Sequence, residues 1–381
     1  ITTAGVVVVK DVAVDAFTNA AGASVTGTST LTTAKLDGSN AAAGVTSDAL
    51  TNLSVTNAGA SSDVTVTNAA TGGHALNLTV SNNASGSAIT DATATSVVVD
   101  TVASSTTTAA NASASAFDLV VDKATSITIN NSHAVTLEGS STFAVATSID
   151  LNGSAKVDLG DVSGEAKLTS INASGATGAV VAQIHGTGTT GFAYTGSAGS
   201  DTVSLDTSTA NATASGVAVE TVINLGAGDD TLLKAGSGAV ATTGNVVDGG
   251  AGNDMVSTDL VTSANGAMFT SFEVLGLNLA SGTFDTDLLT TATSLTLLDQ
   301  GGTYSNVNTS QNLIIATDTS AGTNTFTFGS AEASATTDAY TVSMEFVHTG
   351  ASSEAVDGGQ VVIEDIEAVN LVSTGTGLVT N

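Results

Sequence analysis

The sequence predicts an all-β fold, an elongated right-handed parallel β-solenoid of the β-roll or β-helix type. Three observations predict it. Short runs of β-branched residues alternate with polar residues along the chain, and a repeat of 22 residues occurs in its middle. Three glycine-rich nonapeptides each contain an aspartate followed two residues later by an apolar residue. No segment has the periodicity of an amphipathic helix.

The composition favours a thin β core and a surface that binds cations. Aromatic residues make up only 3% of the chain, so Val, Ile, Leu and Ala must fill the interior. Thirty-five acidic residues oppose six lysines, for a net charge of −29. This balance argues against nucleic acid and anionic lipid as partners and favours multivalent cations. No run reaches the roughly 20 apolar residues of a transmembrane segment.

The repeat predicts the length of one coil. The triplet Thr-Ser-Ile occurs at 125–127, 147–149 and 169–171, a spacing of 22 in both intervals. Similar stretches begin at Thr270 and Thr293, 23 residues apart. A unit of this length holds two or three short strands with their turns. Stacking such units gives a parallel solenoid.

Complexity and motif content divide the chain into three expected regions. Residues 1–123 form a low-complexity region of β-strand repeats, 124–300 form the solenoid with the glycine-rich loops, and 301–381 form a β-rich C-terminal region. A second pattern, an apolar residue followed by Glu and an alternating strand, occurs at Glu220, Glu273 and Glu367. It predicts that each Glu marks a strand start and points outward.

The glycine-rich loops fit the nonapeptide G-G-x-G-x-D-x-U-x, in which U is a large apolar residue. The loop at 249–257 matches throughout, the loop at 196–204 lacks the second glycine, and the loop at 225–233 lacks the first. The candidate metal-binding residues are Gly196, Ala198, Gly199 and Asp201 in the first loop, Leu225, Gly226, Gly228, Asp229 and Asp230 in the second, and Gly249, Gly250, Gly252, Asn253 and Asp254 in the third.

This pattern points to Ca²⁺, which takes six to eight oxygen ligands in a flexible shell. Glycine accepts positive φ and so lets carbonyl groups turn inward, the aspartate adds charge, and the apolar residue anchors the next strand. Asp201, Asp230 and Asp254 are 29 and 24 residues apart, close to one enlarged coil each. We therefore expect the three loops to stack on one edge with about two calcium ions between them. Plain β-turns are the alternative.

Two weaker acidic groups leave both interpretations open. Asp158, Asp161 and Glu165 lie close together in the sequence, as do Asp285 and Asp287. Either group is a further calcium site or a solvated loop.

The three loops, the strand Phe-Glu-Val-Leu at 272–275 and the Cys-free Thr/Ala/Gly/Ser/Asn background resemble the RTX-type surface-layer (S-layer) proteins of Gram-negative bacteria, which carry the hemolysin-type calcium-binding repeat. The close match covers about residues 194–300. The resemblance implies type I secretion, calcium-dependent folding and assembly into a two-dimensional homo-oligomeric lattice on the cell surface. Cell-surface glycan or lipopolysaccharide would be bound through regions outside this chain. The ending Thr-Gly-Leu-Val-Thr-Asn is not an obvious type I signal, which suits a truncated or processed fragment.

The expected function is that of an extracellular structural subunit of such a lattice. The alternative is an RTX-type adhesin or an extracellular repeat module of a larger secreted protein. An enzyme is not expected, because Arg, Cys and Trp are absent, and the four histidines are scattered without metal-ligand spacing. Nothing in the chain matches a nucleophile elbow.

Overall fold

The structure is a computed structural model, and it describes residues 7–10, 17–18, 24–25, 30–104, 114–185, 191–207, 221–238, 245–279, 281–299, 301–315, 322–329, 338–345, 360–364 and 366–374. These residues form β-strands and three short 3₁₀ helices, at Thr258–Leu260, Gly266–Met268 and Thr286–Leu288. No helix in the described part of the chain is long and apolar enough to cross a membrane.

The strands are numbered in chain order. The first eleven are β1 (Val7–Lys10), β2 (Phe17–Thr18), β3 (Ser24–Val25), β4 (Thr33–Asp37), β5 (Ala43–Thr46), β6 (Asn52–Thr56), β7 (Val64–Thr67), β8 (His74–Ser81), β9 (Ala88–Asp91), β10 (Ala94–Thr101) and β11 (Ser115–Val120). The next eleven are β12 (Ser126–Asn131), β13 (Val135–Leu137), β14 (Ser148–Gly153), β15 (Val157–Asp161), β16 (Ser170–Ala176), β17 (Val180–His185), β18 (Ala193–Thr195), β19 (Thr202–Asp206), β20 (Thr221–Asn224), β21 (Thr231–Ala235) and β22 (Asn245–Asp248). The last eleven are β23 (Met255–Ser257), β24 (Phe269–Thr270), β25 (Val274–Leu277), β26 (Gly282–Asp285), β27 (Ser294–Leu297), β28 (Gly302–Val307), β29 (Asn312–Ile315), β30 (Thr323–Phe328), β31 (Ala339–Glu345), β32 (Gln360–Glu364) and β33 (Ala368–Thr374).

The strands stack into a right-handed parallel β-solenoid of about twelve turns, which confirms the predicted all-β parallel solenoid. Even-numbered strands from β4 to β24 form an 11-stranded sheet, and β1 with the odd-numbered strands from β5 to β33 forms a 16-stranded sheet. A four-stranded sheet, β26-β28-β30-β32, follows the first sheet from residue 282 onward. All three regions expected from the sequence contribute strands to the 16-stranded sheet. A small antiparallel pair, β2 and β3, lies near the N-terminus.

The 22-residue repeat is one coil, as the sequence predicted. Ser126 pairs with Ser148 and Ser148 with Ser170, so the three Thr-Ser-Ile triplets lie directly above one another. The predicted 23-residue repeat is wrong. Glu273, not Thr270, is aligned with Thr293, whose N–H donates to the Glu273 carbonyl 20 residues earlier.

The core consists of rows of inward-facing side chains, one per coil. Strands alternate buried and more exposed residues, because successive side chains point to opposite faces of a sheet. One row in the 11-stranded sheet is buried in nine successive strands. It consists of Leu76, Val97, Ile127, Ile149, Ile171, Tyr194, Ile223, Val247 and Phe269. Tyr194 is the one residue of this row whose side chain contains a polar atom.

Asparagines at the strand ends form ladders that begin on an aspartate. Asn130 Nδ2 donates to Asp100 Oδ1 at 2.8 Å, and Asn152 Nδ2 donates to Asn130 Oδ1 at 3.1 Å. An ionised aspartate has only acceptors, so it can stand only at the end of the ladder that receives hydrogen bonds. A second ladder begins in the same way, where Asn57 donates to Asp37 at 2.7 Å.

Candidate metal centre

The three glycine-rich loops form the same corner of the solenoid in three successive coils. They leave β18, β20 and β22 of one sheet and enter β19, β21 and β23 of the other. Asp201, Asp230 and Asp254 each stand directly before the strand that their loop enters. Because these strands pair in parallel register, the three aspartates lie in one row, as the spacing predicted.

The aspartates form a hydrogen-bonded column. The N–H of Val180 donates to Asp201 Oδ1 at 2.7 Å. The N–H of Asp201 donates to Asp230 Oδ1 at 2.7 Å, and that of Asp230 to Asp254 Oδ1 at 2.8 Å. Each carboxylate thus accepts a backbone N–H from the coil before it. Neighbouring strands are about 4.8 Å apart, so the carboxylates stack at close range.

A fourth carboxylate, Glu273, completes the column. The N–H of Asp254 donates to Glu273 Oε2 at 3.0 Å. The sequence pattern predicts Glu273 as an outward-pointing strand start. It does stand directly before β25, but its half-buried side chain belongs to the column. Its position one coil after Asp254 and before an apolar strand is the signal that could have found it. The same contact recurs where the N–H of Asp338 donates to Glu367 Oε2 at 3.1 Å.

The column is shielded from water, and two of its oxygens have no partner. Asp201, Asp230 and Asp254 are each at most 1% exposed. No donor within the described residues reaches Asp230 Oδ2 or Asp254 Oδ2. Leaving a buried polar group unpaired costs about 1–3 kcal/mol, and more when it is charged. A ligand from outside the chain would stabilise both positions.

Burial raises the pKa of all three aspartates. For Asp230 the loss of hydration is the largest cause, the negative charges of Asp201, Asp254 and Asp229 add to it, and the pKa rises to about 8. The pKa values of Asp201 and Asp254 are raised chiefly by burial as well. A cation beside the column would favour the ionised forms and so oppose these shifts.

Glycine lets the second and third loops approach each other closely. Gly226 and Gly250 have φ angles of +104° and +102°, which only glycine adopts without strain. A Cβ on Gly250 would lie 2.1 Å from the carbonyl oxygen of Gly226, and a Cβ on Gly252 would lie 1.9 Å from that of Gly228. The backbones of the two loops are therefore in contact, and no side chain fits between them.

The first motif position does not require a left-handed glycine. Gly196, Leu225 and Gly249 occupy it, and all three have a negative or extended φ. Leu225 is fully buried in the apolar core. Leucine in place of glycine therefore adds apolar packing to the core, and the loop keeps its backbone conformation because this position needs no positive φ.

At this same position a carbonyl oxygen meets a carboxylate oxygen. A Cβ on Gly249 would stand 2.0 Å from the Ser271 carbonyl oxygen and 3.0 Å from Asp254 Oδ2. At Gly196 the corresponding distances are 1.8 Å to a carbonyl oxygen and 2.7 Å to Asp201 Oδ2. At Gly196 and Gly249 the backbones are therefore too close for a side chain, and each contact places a carbonyl oxygen near a carboxylate oxygen, both of the hard type that calcium prefers.

The first loop satisfies its aspartate with protein donors. Ser197 stands in place of the second glycine, and its N–H donates to Asp201 Oδ2 at 2.9 Å while its Oγ donates to Asp201 Oδ1 at 2.6 Å. The Tyr194 hydroxyl donates to Asp201 Oδ2 at 3.2 Å. Both oxygens of Asp201 are thus partnered, in contrast to the two aspartates below it.

The remaining predicted residues lie on the outer side of the corner. Ala198, Asp229 and Asn253 are exposed, and Gly199 and Gly228 are half-buried. The N–H of Asn253 donates to Asp229 Oδ1 at 2.9 Å. This contact holds adjacent loops together from outside and places a further negative charge near the column.

The weaker acidic groups make local turn contacts. Asp158 Oδ1 accepts the Gly160 N–H at 3.0 Å, and Asp285 Oδ1 accepts the Asp287 N–H at 3.1 Å. Aspartate commonly bonds the backbone two residues on in this way. The contacts of Asp158 and Asp285 agree with the solvated-loop alternative. Glu165 differs, because its half-buried side chain accepts the Phe143 N–H of the preceding coil at 3.1 Å.

The corner suits a hard divalent cation held between coils. Among the residues that the structure describes, no three Asp, Glu or His side chains form a ready metal cluster. The second and third loops instead each offer one unpartnered, buried carboxylate oxygen. Calcium completes such a shell with carbonyl and water oxygens. Asp230, Asp254 and the Ser271 carbonyl group are the residues that would hold it.

No protein-family model matches this chain, and no curated protein matches it significantly. The case for a metal centre therefore depends on the geometry of the corner.

Proposed function

We propose that this chain is a structural subunit, or a large part of one, of a secreted cell-surface lattice in which Ca²⁺ binds the carboxylate column and stabilises the stacked coils. The observation that carries the calcium part is the pair of buried, unpartnered oxygens, Asp230 Oδ2 and Asp254 Oδ2. The lattice and the cell-surface location rest on the resemblance of the loops and the composition to RTX surface-layer proteins.

Charge makes calcium a folding ligand. The chain has a net charge of −29, and the column places four acidic side chains in successive coils. Without a cation, ionised carboxylates in the column repel one another, and this repulsion is one cause of the raised pKa of Asp230. Bound calcium would supply the missing positive charge, and its binding free energy would add to the free energy of folding. Extracellular calcium modules have dissociation constants of about 10⁻⁴–10⁻³ M, so the column would fill outside the cell and remain empty in the cytosol.

The role in the lattice is mechanical and not catalytic. A solenoid contacts itself only between adjacent coils, so each calcium ion acts on the coils beside it. Surface carboxylates such as Asp229 would bridge neighbouring copies through further calcium ions. Calcium would then both stabilise the folded chain and join its copies in the homo-oligomer.

A calcium titration of the chain in chelator tests the proposal. We expect circular dichroism to show a gain of β structure and of thermal stability, and light scattering with electron microscopy to show ordered sheets at higher calcium. Magnesium at equal concentration is the control, because it demands a tighter octahedral shell. A spectrum that is β-rich in chelator, with a melting temperature that calcium leaves unchanged, would contradict the calcium part. Soluble calcium-loaded monomers that bind a glycan surface would favour the adhesin alternative.

A further inference from the structure

Tyr194 is the residue that distinguishes the first loop inside the core. It faces Asp201 from the opposite sheet, and parallel pairing places Ile223 and then Val247 at the same position in the next two coils. Neither Ile nor Val can donate a hydrogen bond. Asp230 and Asp254 therefore have no counterpart of the Tyr194 hydroxyl.

Ser197 makes the same distinction within the loop. Its N–H points to Asp201, whereas the N–H of Gly226 donates to Asn224 Oδ1 at 2.9 Å and that of Gly250 donates to Asp248 Oδ1 at 3.2 Å. In the second and third loops this N–H thus turns away from the aspartate of its own loop. The glycines also have no hydroxyl to replace Ser197 Oγ.

We propose that Tyr194 and Ser197 close the first loop to calcium, so that the column binds the cation at Asp230 and Asp254 but not at Asp201. This inference rests on the proposed calcium function. Three protein donors, the Ser197 N–H, the Ser197 hydroxyl and the Tyr194 hydroxyl, take the place that a cation takes in the coils below. The first loop then ends the cation column inside the solenoid.

The first test counts bound calcium per chain by equilibrium dialysis and atomic absorption. Asp230→Asn and Asp254→Asn should each lower the count relative to the unchanged chain. Asp201→Asn should leave it unaltered. A loss of one ion in Asp201→Asn would overturn the inference while the calcium function stood. An unchanged chain that binds no calcium would overturn both.

The second test builds the missing site. Tyr194→Ile, Thr195→Asn and Ser197→Gly together give the first loop the residues of the second, Ile223, Asn224 and Gly226. We expect a gain of one bound ion per chain, and we expect that adding Asp201→Asn removes this gain. A triple variant with the circular dichroism of the unchanged chain and no additional ion would contradict the inference. If the triple variant does not fold, the count for Asp201→Asn decides alone.

Discussion

The backbone N–H of Asp254 donates to Glu273 Oε2 at 3.0 Å, and this contact joins two coils through a half-buried carboxylate. Glu273→Ala would leave the amide of the 0% exposed Asp254 without an acceptor. We expect a loss of about 1–3 kcal/mol in unfolding free energy, measured by chemical denaturation in chelator. Glu273→Gln keeps an acceptor oxygen and should retain most of that stability. Equal losses in the two variants would show that the hydrogen bond does not matter.

Removal of one column charge should change stability in opposite directions with and without calcium. Asp254→Asn keeps the oxygen that accepts the Asp230 N–H but removes the negative charge. In chelator the variant should melt at a higher temperature than the unchanged chain, because repulsion falls. In calcium it should melt at a lower temperature, because a ligand is lost.

Asp229→Asn is the matched control, since it removes a charge from the same corner at an exposed position. It should change the melting temperature far less under both conditions. If Asp254→Asn melted at a lower temperature than the unchanged chain in chelator as well as in calcium, the view that the column charges repel would be contradicted.

Close packing of the second and third loops predicts a strong effect of Gly250→Ala. A Cβ there would lie 2.1 Å from a backbone carbonyl oxygen, and φ is +102°. Gly86 has a φ of +86° with no atom within 4 Å of its Cβ position, so Gly86→Ala measures the backbone strain alone, about 1–2 kcal/mol. Gly250→Ala should exceed that loss and should weaken calcium binding. Equal unfolding free energies for the two variants would argue against loop contact.

The asparagine ladder has a direction that mutation can test. Asp100→Asn keeps the oxygen that accepts from Asn130 and should be nearly neutral. Asn130→Asp removes the donor and brings two carboxylate oxygens together at a contact of 2.8 Å. We expect Asn130→Asp to cost about 1–3 kcal/mol in unfolding free energy at neutral pH and to recover on acidification. An effect of equal size in the two variants would contradict the ladder polarity.

His74 should make the N-terminal coils sensitive to pH. Its Nε2 lies 2.8 Å from Asp91 Oδ2, and its Nδ1 lies 2.9 Å from the Leu50 carbonyl oxygen. When the ring is protonated, it forms an ion pair with Asp91 while Nδ1 donates to the Leu50 carbonyl oxygen. The contact with Asp91 raises the pKa of His74 above 6.5. Burial alone would raise the pKa of Asp91, but bonds from His74 and Thr93 bring it below 3.8.

The two pKa shifts determine the direction in which the stability of these coils changes with pH. The contribution of His74 to the free energy of unfolding is complete below pH 6.5 and is lost as the pH rises through its raised pKa. The contribution of Asp91 is lost as the pH falls through its lowered pKa. Hydrogen exchange of β8 and β9 should therefore be faster at about pH 8.5 than at about pH 6, after correction for the intrinsic rate. His74→Gln should remove this difference. His133→Gln, at a ring that contacts the Ser132 hydroxyl, should not.

Local sequence patterns predicted much of the solenoid because successive coils repeat the same arrangement of strands, turns and inward-facing side chains. The spacing of the Thr-Ser-Ile triplets equals the register of Ser126, Ser148 and Ser170. The prediction failed at Thr270 and Thr293, where similar residues occupy different register positions in their coils. Glu273 was missed as a column member because its loop contains no glycine motif. The register of β23 with β25 brings it beside Asp254.

The sequence by itself determined the strand alternation, the coil length and the stacking of Asp201, Asp230 and Asp254, because side-chain period and repeat spacing are local properties of the chain. The tertiary structure decided which carboxylate oxygens have partners. Asp201 receives a hydroxyl from Tyr194 across the core, whereas Asp230 and Asp254 face Ile223 and Val247. That difference arises from contacts between two sheets, and a motif read along one chain segment does not contain it.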